Sequence, residues 1–317
     1  MNTAAKFVVA AVLLSALAWN IDWERAGAVV GRLHWWTVAV VLGGMALELL
    51  LSVAKWSLAL NMHGLAFPFG YLFRSLCAGY FLNNFLPTSI GGDAYRVYRT
   101  LPAEGYRSRA VSAVLVDRVS GFGALLTLGA AGAAAVGGDS AVARAYLALF
   151  VGGGSAVAGL LLALRFGWFR PLANRLRHLK AFEAAAHNVE HLKQSPKAWL
   201  GQVALSFTFQ TTSVAIVYWL FAQTGEPLPF ARCALVAAAA GMAAVLPVSI
   251  NGIGLMEGSF VVTAVALGAG YDQALLVAMV RRLMIALVSL LCGFVYVAEG
   301  RAAVEAGAAP RGKAGAG

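Results

Sequence analysis

Eight charged side chains lie within or at the edges of long apolar stretches of this 317-residue chain. A charge near the centre of an apolar span costs about 2.5–3.5 kcal/mol on membrane-insertion scales, unless a partner or a polar cavity receives it. We therefore expect these side chains to face one another, or a polar ligand, inside the protein. They are the acids Glu48, Asp117 and Glu257 and the bases Lys55, Arg74, Arg118, Arg281 and Arg282.

Two adjacent guanidinium groups, those of Arg281 and Arg282, lie well inside the last apolar run. Two adjacent cations at such a depth require anions. The anions could be the carboxylates of Glu257 and Asp117, which would form buried structural ion pairs. They could also belong to a phosphate, which a guanidinium group binds with two hydrogen bonds.

Two other pairs of charges have different expected geometries. Glu48 and Lys55 are seven residues apart and share one helical face, although Lys55 could instead extend to the membrane edge. Asp117 and Arg118 are neighbours whose side chains point about 100° apart on a helix. Each of these two is therefore expected to have its own partner.

A seven-residue motif occurs twice in the chain, 160 residues apart. Residues 86–92 (LPTSIGG) and 246–252 (LPVSING) are identical at five of seven positions, and each copy is followed by an acid, Asp93 or Glu257. Proline cannot donate a backbone hydrogen bond and glycine loosens a helix, so both copies are predicted to break helical structure inside the protein. The alternative interpretation is two unrelated proline kinks.

The composition predicts that these residues are held by membrane-spanning helices. The apolar class makes up 60% of the chain and charged residues only 12%, against about 45–50% and about 25% in soluble domains. The net charge is +10, but a mean hydropathy of +0.75 leaves too little polar surface for a nucleic-acid-binding face. No nucleic acid is therefore expected as a partner. We predict an all-α polytopic membrane protein with about six full spans and two broken or re-entrant helical segments that form an inverted-repeat-like core.

The predicted elements form a single transmembrane domain over residues 1–300. A first helix that resembles a signal peptide is expected to be retained. A cytoplasmic amphipathic helix is expected at about 172–193, and a disordered cytoplasmic tail at 301–317. The spans are predicted at about 5–20, 35–56, 112–136, 143–164, 198–222 and 274–298, and the re-entrant segments at about 71–93 and 231–268.

Lysine and arginine are distributed unequally between alternate loops. Segments 91–109, 165–197 and the tail hold most of them, whereas the opposite loops hold only Arg25, Arg32, Arg144 and Arg232. Because basic residues in short loops stay cytoplasmic, we predict a bacterial-type cytoplasmic (inner) membrane protein with a cytoplasmic C-terminus. The two broken segments then open to opposite sides, as in inverted-repeat transporters.

The remaining chemistry-bearing residues predict neither a cofactor nor a bound metal. Cys77, Cys233 and Cys292 are widely spaced in apolar runs, which is typical of buried free thiols. The sequence at 187–191 (HNVEH) fits a zinc-protease pattern, but it lies in a short segment between spans. We therefore predict no catalytic residues. Small residues at 129–132 and 152–159 are expected to allow close helix packing.

These motifs together resemble the flippase-like family of the transmembrane region of lysylphosphatidylglycerol synthase. The resemblance extends over about 5–300 and is carried by residues 83–96, 117–118 and 246–257. It implies a role in moving lipids between leaflets, relatives being implicated in exporting aminoacylated phosphatidylglycerol or hopanoids. We expect no soluble aminoacyl-transferase domain, so the resemblance does not imply lipid synthesis, and Met256 stands where a basic residue is expected in many relatives.

We therefore expect a lipid translocase, not an enzyme, with membrane lipids as partners and homo-oligomerisation left open. The membrane-embedded charges include more bases than acids, which favours an anionic headgroup. The alternatives are a membrane-embedded enzyme acting on a lipid or polyprenyl phosphate, and a scaffold that recruits a lipid-modifying enzyme. The candidate substrate-binding residues are Asn83, Asn84, Pro87, Ser89, Gly91, Gly92, Asp93, Arg96, Asp117, Arg118, Pro247, Ser249, Asn251, Gly252, Gly254, Glu257, Arg281, Arg282 and Glu48.

The expected roles follow residue type. Amides, hydroxyls and the backbone at 91–92 would hydrogen-bond the headgroup, the acids would set selectivity or carry protons, and Arg96, Arg281 and Arg282 would hold phosphate.

Overall fold

The computed structural model of the chain describes residues 35–85, 90–101, 107–137, 140–165, 196–246 and 252–308. All regular secondary structure within these ranges is helical, which confirms the predicted all-α class. The helices are α1 (Trp35–Met62), α2 (Phe69–Phe85), α3 (Ile90–Arg99), α4 (Arg107–Val136), α5 (Ala141–Arg165), α6 (Pro196–Gln223), α7 (Phe230–Val245), α8 (Leu255–Ala266) and α9 (Tyr271–Ala308).

Four of the described helices are long and apolar enough to cross a membrane. They are α1, α4, α6 and α9, and they coincide with four predicted spans. Helix α5 covers a fifth predicted span, 143–164. The chain is thus a multi-pass α-helical membrane protein.

Some predicted elements lie outside the described residues or end elsewhere. The first span (5–20) and the amphipathic helix (172–193) lie outside them. The expected disordered tail begins too early, because α9 continues to Ala308. The residues that it adds are rich in alanine, the strongest helix former.

Each broken segment consists of two short helices that pack against each other, α2 with α3 and α7 with α8. Helices α2 and α7 have 17 and 16 residues. At 1.5 Å per residue each is about 25 Å long, which is short of the roughly 30 Å hydrocarbon core. The first broken segment is longer than predicted, because α3 ends at Arg99 and not near residue 93.

The helices α1–α4 and α6–α9 form two copies of one arrangement: a long helix, two short helices and a second long helix. Helix α4 packs on α7, and correspondingly α9 packs on α2. Helix α6 contacts α4, and α1 contacts α9. The other substantial contacts among these eight helices also occur in exchanged pairs, while α1 and α6 pack on each other. The two halves are therefore related by a pseudo-two-fold axis.

The equivalent helices α1 and α6 run in opposite directions. Trp36, at the start of α1, packs edge-on against Trp219 near the end of α6, with ring centroids 5.3 Å apart. Near the end of α1, Leu58 approaches Gly201 at the start of α6. A two-fold axis that relates two antiparallel neighbouring helices is perpendicular to both of them. In a bilayer this is the geometry of an inverted repeat.

Small residues bring the long helices close to the helical hairpins. A Cβ added at Gly129 of α4 would lie 2.5 Å from the Ala238 Cβ of α7, and one added at Gly293 of α9 would lie 2.5 Å from Phe81 of α2. The two glycines are 164 residues apart and hold equivalent positions in the two halves. In lipid the hydrophobic effect does not drive helices together, so van der Waals contacts between closely packed helices stabilise their association.

Candidate functional site

The carboxylate of Asp117 in α4 lies at the meeting point of three helices. Its Oδ2 accepts a hydrogen bond from Arg96 Nη2 of α3 at 2.9 Å, and its Oδ1 lies 3.2 Å from Lys55 Nζ of α1. All three residues are buried. Two cations therefore compensate one buried carboxylate, and Lys55 does not extend to the membrane edge.

Asp93 of α3 holds the remaining cation of the same region. Its carboxylate accepts two hydrogen bonds from Arg118 of α4, at 2.8 Å from Nε and 2.7 Å from Nη2. Arg96 Nη1 lies 3.3 Å from the same carboxylate, so Arg96 bridges the two acids. We call these residues the first charge cluster: Lys55, Asp93, Arg96, Asp117 and Arg118. With three cations and two acids, its formal charge is +1.

The position of Arg96 corrects one interpretation of the sequence. Its segment was expected to be a basic cytoplasmic loop, whereas Arg96 is a buried helical residue. Arg96 follows Asp93 by three residues and so shares its helical face. Its guanidinium carbon also lies 4.5 Å from the ring centroid of Trp56, a cation–π contact that replaces part of the lost hydration.

A second set of charges surrounds Glu257 at the start of α8. Its Oε1 accepts a hydrogen bond from Arg282 Nε of α9 at 2.5 Å, and its Oε2 accepts one from the Gly254 N–H at 2.7 Å. The Glu257 side chain is 1% exposed. Gly254 has a φ of +81°, a left-handed conformation that favours glycine. The carboxylate thus caps a helix and neutralises a cation.

Two further charges complete this region. Arg281 Nη2 of α9 donates to Ser213 Oγ of α6 at 3.2 Å, and the Ser213 hydroxyl also hydrogen-bonds Glu48 of α1. The Arg282 Nη2 atom and the Glu48 Oε1 atom are buried without a hydrogen-bond partner. We call these residues the second charge cluster: Glu48, Glu257, Arg281 and Arg282. Its formal charge is zero.

The partners of the two adjacent arginines differ in part from those expected. Arg282 binds Glu257 as predicted, but Asp117 binds neither arginine. Asp117 lies where α4 meets α1 and α3, and its ion-pair partners are therefore the cations of those two helices, Lys55 and Arg96. The carboxylate that faces Arg281 is that of Glu48.

The two clusters occupy equivalent positions in the two halves. Asp93 binds an arginine 25 residues further along the chain, and so does Glu257. Each acid lies early in the second helix of a hairpin, and each arginine is the second residue of an adjacent charged pair in the next long helix. The sequence contains this signal as an equal spacing of acid and arginine, outside the repeated motif itself.

The two equivalent ion pairs differ in exposure. The side chains of Arg118 and Asp93 are 57% and 21% exposed, whereas those of Arg282 and Glu257 are 18% and 1% exposed. The first cluster therefore opens to the exterior of the protein between α3 and α4, while the second is closed.

Polar side chains of α1 and α2 connect the clusters. Glu48, Ser52 and Lys55 lie on one face of α1, and the Tyr80 hydroxyl of α2 hydrogen-bonds Ser52. Beside Tyr80 is a cavity of about 40 Å³, enough for two or three water molecules. Its lining comprises Met45, Glu48, Leu49, Tyr80, Ile285 and Val288. Tyr80 and Ser213 were not among the predicted site residues, since a lone hydroxyl in an apolar run gives little signal.

A hydrogen bond between the Asn83 side chain and the backbone stabilises the first break. The Gly92 N–H donates to Asn83 Oδ1 at 2.7 Å. The partner of the Asn83 side-chain amide is therefore the backbone at the helix break. A Cβ at Gly92 would lie 2.6 Å from the Gly79 carbonyl oxygen, and the two helices approach closely here. Gly91 begins the same turn, and Gly252 has a φ of +70° at the second break.

The remaining predicted site residues cannot be placed against these contacts. The Asn84 side chain lies outside the described part of the structure, as do Pro87, Ser89, Pro247, Ser249 and Asn251. Among the described residues no group of three His, Cys, Asp or Glu side chains could hold a metal ion.

The sequence matches the model of a known protein family. The family model of the lysylphosphatidylglycerol synthase TM region matches residues 3–293. None of the curated proteins matches the chain.

Proposed function

The chain belongs to the family of the lysylphosphatidylglycerol synthase transmembrane region, and we propose that it moves an anionic phospholipid between the two leaflets of a bacterial-type cytoplasmic membrane. The family indicates a membrane protein with a lipid-related function. The more specific proposal, that the protein translocates a lipid, depends on the two charge clusters.

One observation carries the proposal: equivalent ion pairs join the second helix of each of two oppositely oriented hairpins to the long helix that follows it. In inverted-repeat transporters the substrate site lies near the bilayer midplane, at the interface of the repeats. A headgroup crossing between the hairpins would pass both pairs while its acyl chains remained in lipid. Ion pairs inside a purely structural bundle would not need such equivalence.

The charges favour an anionic headgroup. The first cluster has one cation in excess, and the second has an arginine N–H without an acceptor, at Arg282 Nη2. A phosphate would supply the missing negative charge and the missing acceptor, because its oxygens receive two parallel hydrogen bonds from a guanidinium group. In this proposal Arg118 receives the phosphate on the open side, and Arg281 and Arg282 receive it on the closed side.

The test is a scrambling assay in liposomes that contain the purified protein and fluorescent phosphatidylglycerol. A membrane-impermeant quencher destroys the label in the outer leaflet, and the loss of the protected fraction reports lipid movement. We expect movement by the wild-type protein and an at least tenfold slower rate for Arg118→Met, because Arg118 receives the phosphate in this proposal and its loss leaves Asp93 with a second cation, Arg96. The control is Arg74→Met, because the Arg74 side chain is exposed and donates to the Gly70 carbonyl of its own helix.

Two outcomes would contradict the proposal. Wild-type protein that moves no phosphatidylglycerol would remove the assigned function. Conversion of the lipid to another compound in detergent micelles, which have no second leaflet, would identify an enzyme instead.

A further inference from the structure

Glu48 differs from the other membrane-embedded acids of the described residues in having no direct ion pair. Asp93, Asp117 and Glu257 each have an arginine nitrogen within 2.5–2.9 Å. For Glu48, the nearest cation is Arg281, and the hydroxyl of Ser213 lies between them. The carboxylate is thus held at a distance from its counter-charge.

The surroundings of Glu48 contain few charged groups. Tyr80 faces it from α2, Ser213 from α6 and Arg281 from α9, while Lys55 lies two turns further along α1. The rest of the lining is apolar: Met45, Leu49, Ile285 and Val288. Arg281 is therefore the cation whose field Glu48 chiefly neutralises.

One oxygen of this carboxylate has nothing to bind. Glu48 Oε1 is buried and accepts no hydrogen bond. The Glu48 side chain lines the cavity beside Tyr80, and this cavity has room for water. Water in that cavity could deliver a proton to Oε1.

We propose that Glu48 is a proton-binding site, and that a proton bound there releases Arg281 for the phosphate of an anionic lipid. The step forms one O–H bond between Oε1 and a proton taken from cavity water. The carboxylate becomes a neutral carboxylic acid, and no other covalent bond changes. Arg281 then lacks its anionic partner in α1, and a lipid phosphate can take that place.

The proposal deepens the proposed function and rests on it. Because linkage is reciprocal, a proton that favours lipid binding must itself be favoured by the lipid. Lipid binding should therefore take up protons, and lipid affinity should rise as the pH falls. Proton and lipid would then be carried in the same direction, so that a proton gradient drives the lipid.

The experiment measures binding of short-chain phosphatidylglycerol to the purified full-length protein by calorimetry, in two buffers of different ionisation enthalpy. The difference between the two heats gives the number of protons taken up per lipid. For the wild-type protein we expect up to one proton, with a dissociation constant that rises by up to tenfold per pH unit above the midpoint of the Glu48 titration.

Glu48→Gln should bind the lipid with no proton uptake and a pH-independent affinity. The control is Glu226→Gln, the same substitution at an exposed position in the loop between α6 and α7, which should titrate like the wild type. Glu48→Asp is the second variant, since it keeps a carboxylic acid and should keep the proton uptake.

The two hypotheses fail separately. If the wild-type protein binds no phosphatidylglycerol, the proposed function fails. If it binds the lipid without proton uptake, or if Glu48→Gln takes up protons as the wild type does, the proton site is overturned. An infrared titration of the lipid-free protein decides independently, because the carbonyl band of a protonated carboxylic acid should appear on acidification and be smaller in Glu48→Gln.

Discussion

Removing the charge of Arg282 should destabilise the protein strongly, because it leaves a carboxylate buried without a counter-ion. Glu257 is 1% exposed and has one ion-pair partner, the Arg282 guanidinium at 2.5 Å. The substitution Arg282→Met keeps an unbranched apolar side chain in place. Breaking a buried pair in this way costs about 3–5 kcal/mol, or roughly two to four powers of ten in the unfolding equilibrium constant.

The equivalent substitution in the other half should cost much less. Arg118 is 57% exposed, and its partner Asp93 keeps a second cation, Arg96, at 3.3 Å. For Arg118→Met we therefore expect a much smaller loss than for Arg282→Met, because Asp93 is not left without a counter-ion. The comparison is internal, since the two arginines hold equivalent positions in one chain.

The assay is the free energy of unfolding in detergent micelles, obtained by titration with sodium dodecyl sulfate and followed by the loss of helical circular dichroism. The double variant Glu257→Gln/Arg282→Met should be more stable than Arg282→Met alone. Removing both charges leaves no unpaired carboxylate, and the glutamine oxygen can still accept the Gly254 N–H. Equal losses for Arg118→Met and Arg282→Met, or a double variant less stable than the single one, would refute this reasoning.

Two further predictions concern the hairpins. Gly92→Ala should lower the thermal midpoint of unfolding by several degrees, because its Cβ would lie 2.6 Å from the Gly79 carbonyl oxygen, whereas Gly43→Ala, with nothing within 4 Å of the new atom, should leave the midpoint unchanged. Mild oxidation should join Cys77 of α2 to Cys292 of α9, two buried free thiols on helices that pack against each other, and mass spectrometry of the digested protein should detect the linked peptide. The absence of that peptide from oxidised protein would contradict the packing of α2 on α9.

The architecture could be predicted from the sequence because its signals are local. Runs of apolar residues located all the long helices, although α1 and α9 extend well past their predicted ends, and Pro87 and Pro247 marked both breaks. The end of α3 was missed because residues 94–99 (AYRVYR) include two arginines, which are typical of a cytoplasmic loop. They are helical nonetheless because this amphipathic helix packs on its neighbours, chiefly on α2.

The partners of the buried charges could not be predicted, because they depend on which helices meet. Every acid of the two clusters was a candidate site residue from the sequence, but the alternative that paired Asp117 with Arg281 or Arg282 was wrong. The pairing of Asp117 with Lys55 and Arg96 requires that α1, α3 and α4 converge at one depth. Hydroxyl groups such as that of Ser213 become significant only once their neighbours are known.

Positions 117 and 281 are equivalent in the two halves, but one is an aspartate and the other an arginine. Two identical halves, assembled as a homodimer, would carry either two acids or two bases at these positions. Joining both halves in a single chain permits one of each. The electric field is consequently unequal at the two ends of the inverted repeat, and an anion that travels between them meets an attractive arginine at one end and an aspartate already neutralised at the other.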